Sequence, residues 1–315
     1  MYREKTVAIV IPAHNEAKLI GSTLEGIPSF IDKIFVIDDA SQDNTSEILQ
    51  RLGRSDPRIK PIRHEVCKGP GAGIVTGYRA AAAEGIDLVV VIGGDNQMPC
   101  EQIPVLLDPL IDGAADYTKG NRFFGHGATW EGMPKVRILG NTLITAMTKL
   151  ASGYFKVVDV VDGFTATTRG VIESINWNRV WAGYGYPMDF LIWLNIYGFR
   201  VKDVPRRAIY FPGERQSQIK AASYVLRVTP MLLRGFFRRL FYKYVLYDFH
   251  PLVLFYLLGV LLLPAGLLLG LYLVWLQITG VGVSGPRAVL CALLSISGLQ
   301  SLFFAMFFDM SAENK

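Results

Sequence analysis

Asp95, Asn96 and Gln97 stand directly after Gly93 and Gly94, at the end of the β-branched run Val89–Ile92. Such a run reads as a buried strand, and two glycines open its end into a tight turn. A carboxylate and an amide two positions apart on that turn can face one point. They suit a hard cation held between protein and phosphate oxygens. An ordinary surface turn has the same composition, so the neighbouring segments decide the matter.

Two other segments carry polar groups at equivalent places. TVAIVI runs into PAHNE with Pro12, Asn15 and Glu16, and KIFVID runs into DASQDNT with Asp38 and Asp39. If these strands are parallel, all three loops lie on one sheet edge and converge on one crevice, where open α/β sheets bind ligands. Acids do not bind phosphate directly, so they would serve a base, ribose hydroxyls and a bridging cation. Basic groups would supply the rest. The KGPGAG stretch fails as a dinucleotide fingerprint because Ile74 stands where GxGxxG needs glycine, and GxxxxGK[ST] is absent. Lys68 can still reach a base or phosphate.

The positioning elements follow from periodicity. Strands are expected at Thr6–Ile11, around KIFVID, at IKPIRH and at LVVVIGG, with helices near 17–26, 46–52 and 78–85. Their alternation predicts an α/β fold: a mostly parallel, Rossmann-like sheet with helices on both faces. Beyond Gly120 a helix is expected near 136–151, DVVDGFTATTRG reads as a strand or turn pair, a helix covers 190–197, and FRVKDVPRRAIY is a further strand. This cytosolic domain is expected to span residues 1–220.

The chain has 315 residues, 51% of them hydrophobic, with mean hydropathy +0.30 and net charge +5. Its apolar excess is concentrated at the end. Between His250 and Asp309 the only charged residue is Arg287. The two runs it separates each suffice to cross a bilayer, which takes about 20 residues as a helix. Two transmembrane helices are therefore expected within 251–308, with a cytosolic tail at 309–315. Residues 221–250 place Leu233, Phe236, Phe237, Leu240 and Tyr244 at helical spacing, with Arg234 and Arg238 on another face. That pattern predicts amphipathic juxtamembrane helices lying in the interface.

MYREKTVAIVIP has no apolar core of about seven residues leading to a small-residue cleavage site, so no signal peptide is expected. Arg234, Arg238, Arg239 and Lys243 precede the first span, which points to an integral membrane protein with its amino-terminal domain cytosolic. The basic balance falls next to the membrane with no nucleic-acid motif. Anionic lipids are the expected partner and nucleic acid is not. Cys67, Cys100 and Cys291 lack paired or zinc-binding spacing and are read as free thiols.

PAHNE, IDDASQDNT, the GDNQ turn, GNRF, the MP..R..GN segment, DGFTATTR and the basic segment before two spans resemble glycosyltransferase family 2. The resemblance is closest to the membrane-bound polyprenyl-phosphate glycosyltransferases, the group that includes dolichyl-phosphate mannose synthases. It implies a GT-A domain that takes a UDP- or GDP-linked sugar and inverts the anomeric centre onto a lipid phosphate. By the same resemblance Pro12, Asn15, Glu16, Ile37, Asp39 and Gly94 hold the nucleotide sugar, and Asp38 braces that loop. Asp95 and Gln97 match the second acid and the glutamine of DxDxQ, which bind Mg²⁺ or Mn²⁺. Gly93 replaces the first acid. Arg122 matches an arginine facing the phosphates, Arg137 with Asn141 a position near the acceptor phosphate, and Arg215 and Lys220 are substitutes for a late basic pair. The family pattern keeps Ser217 but meets Gln218 where lysine is expected.

The implied function is transfer of a single sugar to polyprenyl phosphate (dolichyl or undecaprenyl) at the cytosolic membrane face. A lipid monophosphate is already an anion and needs no strong general base, so Asp189 is read as positioning; with a hydroxyl acceptor it would be the base. Two alternatives remain in view. A processive polysaccharide synthase lacks support because QxxRW is absent and two spans make a poor polymer channel. A catalytically silent nucleotide-binding scaffold is motivated by Gly93. Association into a homo-oligomer is compatible with two spans.

Overall fold

The computed structural model describes residues 1–123, 135–207, 209 and 221–312, without the side chains of 135–139, 141 and 221–223. The chain divides into two compact units, Met1–Phe237 and Arg238–Lys315. The expected boundary at residue 220 lies outside the described residues.

The first unit is built on a seven-stranded sheet. Its strands are β1 (Val7–Ala13), β2 (Lys33–Asp38), β3 (Ile59–Arg63), β4 (Leu88–Val91), β5 (Tyr117–Asn121), β6 (Thr165–Thr168) and β7 (Val201–Pro205), in the spatial order β3-β2-β1-β4-β6-β5-β7. All run parallel except β6, which is antiparallel to both β4 and β5. The helices are α1 (Ile20–Glu25), α2 (Thr45–Ser55), α3 (Pro70–Ala83), α4 (Ile103–Ile111), α5 (Lys135–Ser152), α6 (Arg169–Ser174), α7 (Tyr186–Ile196) and α8 (Ala221–Phe241).

Alternation along β1 explains the layers. Val7, Ile9 and Ile11 point into a core shared with Ile20 and Leu24 of α1 and Leu106 and Leu107 of α4. On the opposite face Val10 packs against Gly77 of α3, where even a Cβ would clash. A strand buried on both faces has no polar side, which is why TVAIVI reads as continuously apolar. The α3 face is completed by an aromatic cluster, with Trp177 5.1 Å from Tyr78 and 5.0 Å from Phe190 between ring centroids.

Helix α3 begins eight residues earlier than the expected start at 78, so part of the glycine-rich stretch is helix rather than loop. Pro70 occupies the first turn, and Gly69 enters it with φ of 96°, a conformation that glycine adopts without strain. Gly73 and Gly77 allow α3 to lie close on Pro12 and Val10. Close packing thus outweighs the weak helix propensity of glycine, about 1 kcal/mol per residue.

Helix α8 packs within the first unit through Val228, Met231, Leu232 and Gly235, the last against Ile192 of α7. Leu226, Leu233 and Phe237 stay exposed, with Arg234 on the same outward side.

In the second unit α9 (Leu252–Ile278) and α10 (Gly285–Ala312) are both long and apolar enough to cross a membrane. Gly259, Gly266 and Gly298 let their backbones approach, and the outward face carries Leu261, Leu268, Leu271, Phe303 and Phe307. Arg239, expected among the basic residues available to the lipid surface, is instead fully buried. It forms a bidentate pair with Asp309 at 2.8 and 2.7 Å, which also accepts from Tyr244 at 3.0 Å and Tyr256 at 3.3 Å. All three cysteines are free.

Candidate active site

The topology brings a defined set of loops to one sheet edge. The carboxyl ends of β1, β2, β4, β5 and β7 lie there, and because β6 is antiparallel, its amino end joins them: Thr165 sits opposite Val91. Asp159 and Asp162, which precede β6, therefore meet the residues that follow β4, β5 and β7.

The loops after β1 and β2 are laced together. Asp39 N donates to Ala13 O at 2.8 Å, Asn15 N to Ser41 Oγ at 3.0 Å, Gln42 N to Asn15 Oδ1 at 2.8 Å and Glu16 N to Thr45 Oγ1 at 2.9 Å. Asn15 and Ala40 hold positive φ, at 59° and 56°. Asp38 is buried, accepting from Ser41 N at 2.9 Å and Arg63 at 3.0 Å. That is the bracing role expected of it.

Asp39, expected to face a nucleotide, is also 3% exposed and gathers the β3–α3 connection around itself. It accepts from His64 Nδ1 at 2.7 Å, Lys68 N at 2.9 Å, Gly69 N at 2.7 Å and Cys67 Sγ at 3.3 Å. Burial by itself would raise this carboxyl, but the hydrogen bonds from Lys68, His64 and Gly69 outweigh it and hold it below its ordinary value. Lys68 is thereby fixed by its backbone, with its side chain exposed. Pro12 and Ile37 line the floor beside Gly73.

The turn after β4 is anchored from two sides. Gly94 O accepts from Thr23 Oγ1 at 3.1 Å, and Gly93 N donates to Met98 Sδ at 3.1 Å. Gly94 lies against Glu16, whose Cγ would be 3.4 Å from an added Cβ, so the β1 and β4 loops meet directly. Asn96 takes φ of 54°. Asp95 Oδ1 accepts from Gln97 N at 3.3 Å, and burial pushes the Asp95 carboxyl above its ordinary value. A partly dehydrated carboxylate two positions from a glutamine on one turn offers hard-oxygen donors, which fits a cation that takes its remaining ligands from phosphate and water. Among the described residues no cluster of three His, Cys, Asp or Glu side chains could hold a metal alone.

Arg122 follows β5 and pairs with Asp159, Nε at 2.7 Å and Nη2 at 2.9 Å, with Asp162 3.2 Å away. Its guanidinium retains 21% exposure while both carboxylates have none. Lys119, buried on β5, donates to Asp162 O, and Asp203 accepts from Asn121 Nδ2 at 2.7 Å and Val158 N at 2.8 Å. Arg206, after β7, reaches Asp162 Oδ2 at 2.6 Å. Asp189 is 2% exposed and accepts from Trp181 N at 2.8 Å, which fixes the 181–186 loop against the start of α3. Tyr184 of that loop is half exposed. Burial, together with Glu16, Cys67, Asp39 and Asp95 around it, raises its phenol, so this ring stands among the three acidic loops.

The structure thus brings together Pro12, Asn15, Glu16, Ile37, Asp39, Lys68, Gly94, Asp95, Gln97 and Arg122 on one edge. Asp189 supports the loop beside them. Arg137 and Asn141 lie on α5 with their side chains outside the described residues, and Arg215, Ser217, Gln218 and Lys220 lie outside the described residues. Asp159, Asp162, Arg206 and Tyr184 were not singled out by sequence. Asp162 opens the DGFTATTR segment that carries the family resemblance, though with no role of its own there; for Asp159 the signal was its closeness to Asp162 within DVVDG, and for Tyr184 its place between two glycines.

A family model described as glycosyl transferase family 2 matches residues 8–175. The chain is 26% identical over 220 residues to the UDP-N-acetylglucosamine–dolichyl-phosphate N-acetylglucosaminyltransferase of Methanococcus voltae, covering 66% of this chain and 87% of the relative. It is 28% identical over 204 residues to the polyprenol monophosphomannose synthase of Mycolicibacterium smegmatis, covering 62% and 75%. Its fold is shared with glucosyl-3-phosphoglycerate synthase from Mycobacterium tuberculosis, solved in complex with Mn²⁺, UDP and phosphoglyceric acid. That match has a TM-score of 0.53 at 20% identity and covers 75% of this chain and 78% of the other. The mixed sheet with helices on both faces is therefore the GT-A-like fold that the motifs predicted.

Proposed function

This chain belongs to glycosyl transferase family 2 and is a glycosyltransferase, and from that premise we propose that it moves one sugar from a nucleotide-diphosphate sugar to polyprenyl phosphate. The observation that carries the reading is the meeting of Asp95, Gln97 and Arg122 on the edge that also holds the Pro12–Glu16 and Asp38–Asp39 loops, in a chain with two membrane-length helices. Relatives named for dolichyl-phosphate and polyprenol acceptors support the lipid acceptor.

An oxygen of the lipid phosphate attacks the anomeric carbon as the bond to the donor diphosphate breaks, which inverts that centre. Negative charge accumulates on the leaving diphosphate. Asp95 and Gln97 would hold Mg²⁺ or Mn²⁺, which supplies charge neutralisation there. Arg122 faces the same phosphates, and Asp159 fixes its guanidinium by two hydrogen bonds, so little reorganisation is required as charge develops. The acceptor arrives as an anion, so no residue has to remove its proton. Asp189, buried and committed to Trp181 N, acts as a positioning residue for the 181–186 loop.

Pro12, Asn15, Glu16, Ile37 and Asp39 form the nucleotide crevice, with Lys68 at its rim. The outward Leu226, Leu233, Phe237 and Arg234 of α8 suit a membrane interface. In this reading the two spans keep the first unit on the cytosolic side, where basic residues concentrate. Arg137, Asn141, Arg215 and Lys220 remain assigned to the acceptor phosphate by motif. Membranes carrying the protein are incubated with labelled UDP- and GDP-sugars and polyprenyl phosphate. Label extractable into organic solvent is the expected outcome. Label in polymer indicates a processive synthase, and no turnover with any donor indicates a silent scaffold.

A further inference from the structure

The Asp95 turn lacks a carboxylate at position 93, and a Cβ there would stand 2.8 Å from Asp95 Oδ1. The Asp95 carboxylate therefore takes up the space that a side chain at 93 would need. Support for the turn comes from a residue 109 positions away in sequence: Arg206 Nη1 donates to Gln97 O at 3.3 Å. The same nitrogen donates to Arg207 O at 3.1 Å, and Nε donates to Asp162 Oδ2 at 2.6 Å.

This guanidinium is 6% exposed and lies 6.0 Å from the centroid of the Phe164 ring. Its stem crosses β5 at Gly120, where an added Cβ would be 3.0 Å from Arg206 Cδ, so a larger residue would displace it. Asp162 in turn accepts from Phe164 N at 2.7 Å and lies 3.2 Å from Arg122 Nε. The groups form one connected series from the Gln97 carbonyl through Arg206, Asp162 and Arg122 to Asp159.

We propose that Arg206 is a positioning residue for the cation-holding turn, fixing Gln97 through its backbone carbonyl and linking that turn to Arg122 through Asp162. The inference rests on the reading of Asp95 and Gln97 as cation-holding residues. Two physical points favour it. A planar fork is needed to meet a carboxylate and a carbonyl at once, which an ammonium cannot do in the same geometry. A cation close to a metal site would also repel the ion, and Asp162 cancels that charge at contact distance. Groups that orient metal ligands typically change metal affinity by about 10–100-fold when removed.

The test measures Mn²⁺ affinity of the full chain in detergent with UDP and, separately, GDP, by electron paramagnetic resonance of free Mn²⁺, alongside the thermal midpoint. Arg206→Lys keeps the charge and loses the fork. It is expected to weaken Mn²⁺ binding by about tenfold or more. The Mn²⁺ requirement of transfer should rise in parallel, while the KM for polyprenyl phosphate at saturating Mn²⁺ stays unchanged. The double variant Arg206→Gln with Asp162→Asn leaves no unpaired charge and keeps an acceptor for Phe164 N. It is expected to fold and to show the same weakened Mn²⁺ binding. Wild-type Mn²⁺ affinity in both variants, or a lowered midpoint with unchanged affinity in the folded protein, overturns the inference. Failure of the wild type to bind Mn²⁺ with either nucleotide overturns the cation reading as well, so the two failures are distinguishable.

Discussion

Among the described residues arginine–aspartate pairs are buried in two places, and they are built differently. In the second unit Arg239 and Asp309 form a closed bidentate pair, neither exposed by more than 1%, with Tyr244 and Tyr256 donating to the same carboxylate. Each charge has its partner in place, which is what an apolar setting demands. At the sheet edge of the first unit, Arg122, Lys119 and Arg206 meet Asp159, Asp162 and Asp203 in an open series. Arg122 keeps partial exposure, and Asp203 Oδ1 is buried with no hydrogen-bond partner among the described residues. The contrast separates two uses of one residue pair. The first clasps Arg239 to α10 within the second unit, whereas in the proposed function the second would hold cationic groups ready for an anionic ligand.

Breaking the closed pair should give the largest effect on stability. Arg239→Ala leaves the Asp309 carboxylate buried without its counter-charge, and a loss of about 3–5 kcal/mol is expected, read by denaturation in detergent. The rate per folded molecule should not change, and Arg239→Met with Asp309→Leu should recover most of the stability. If the single variant unfolds no more readily than wild type, the clasp is not structural.

Arg122→Ala tests the open series. Its effect should fall on the rate, by about 10²–10³ as for removal of one fixed transition-state donor. It also strands Asp159, so Arg122→Ala with Asp159→Asn should regain stability without regaining rate. Recovery of both would place Arg122 with the structural pairs.

The smallest expected effect is on acid stability. Because the folded-state pKa of Asp39 is held below its ordinary value, its contribution is fully present above the unfolded pKa, near 3.9 for aspartate, and is lost as pH falls through the folded value. Asp39→Asn should flatten the stability profile in that acid window and leave the neutral region with a constant offset. An unchanged acid slope would mean that the Lys68, Gly69 and His64 hydrogen bonds contribute little.

The two regions also differ in how far the sequence exposed them. Strands β1, β2 and β4 were legible because burial on both faces leaves an unbroken apolar run ending in polar turn residues. β5 was not, since YTKGN carries a lysine whose burial is possible only beside Asp162, Asp159 and Asp203, partners far away in the chain. The antiparallel direction of β6 was hidden as well, because TATT reads the same either way. Asp95 and Gln97 stood out by type and spacing, and Arg122 through the family resemblance of its GNRF segment. Arg206 did not, because its role depends on the adjacency of β5, β6 and β7, which no local pattern encodes. In the second unit the two helices were plain from composition, but Arg239 was misplaced at the lipid surface because its partner lies 70 residues away.

The most direct test of the account is Asp95→Ala, assayed as organic-extractable label from a saturating nucleotide-sugar donor and polyprenyl phosphate. Burial raises the Asp95 carboxyl, so near neutral pH its ionised form lowers the stability of the cation-free fold. The account therefore predicts loss of extractable label together with a thermal midpoint equal to or above that of wild type. Full transfer activity in that variant would contradict it.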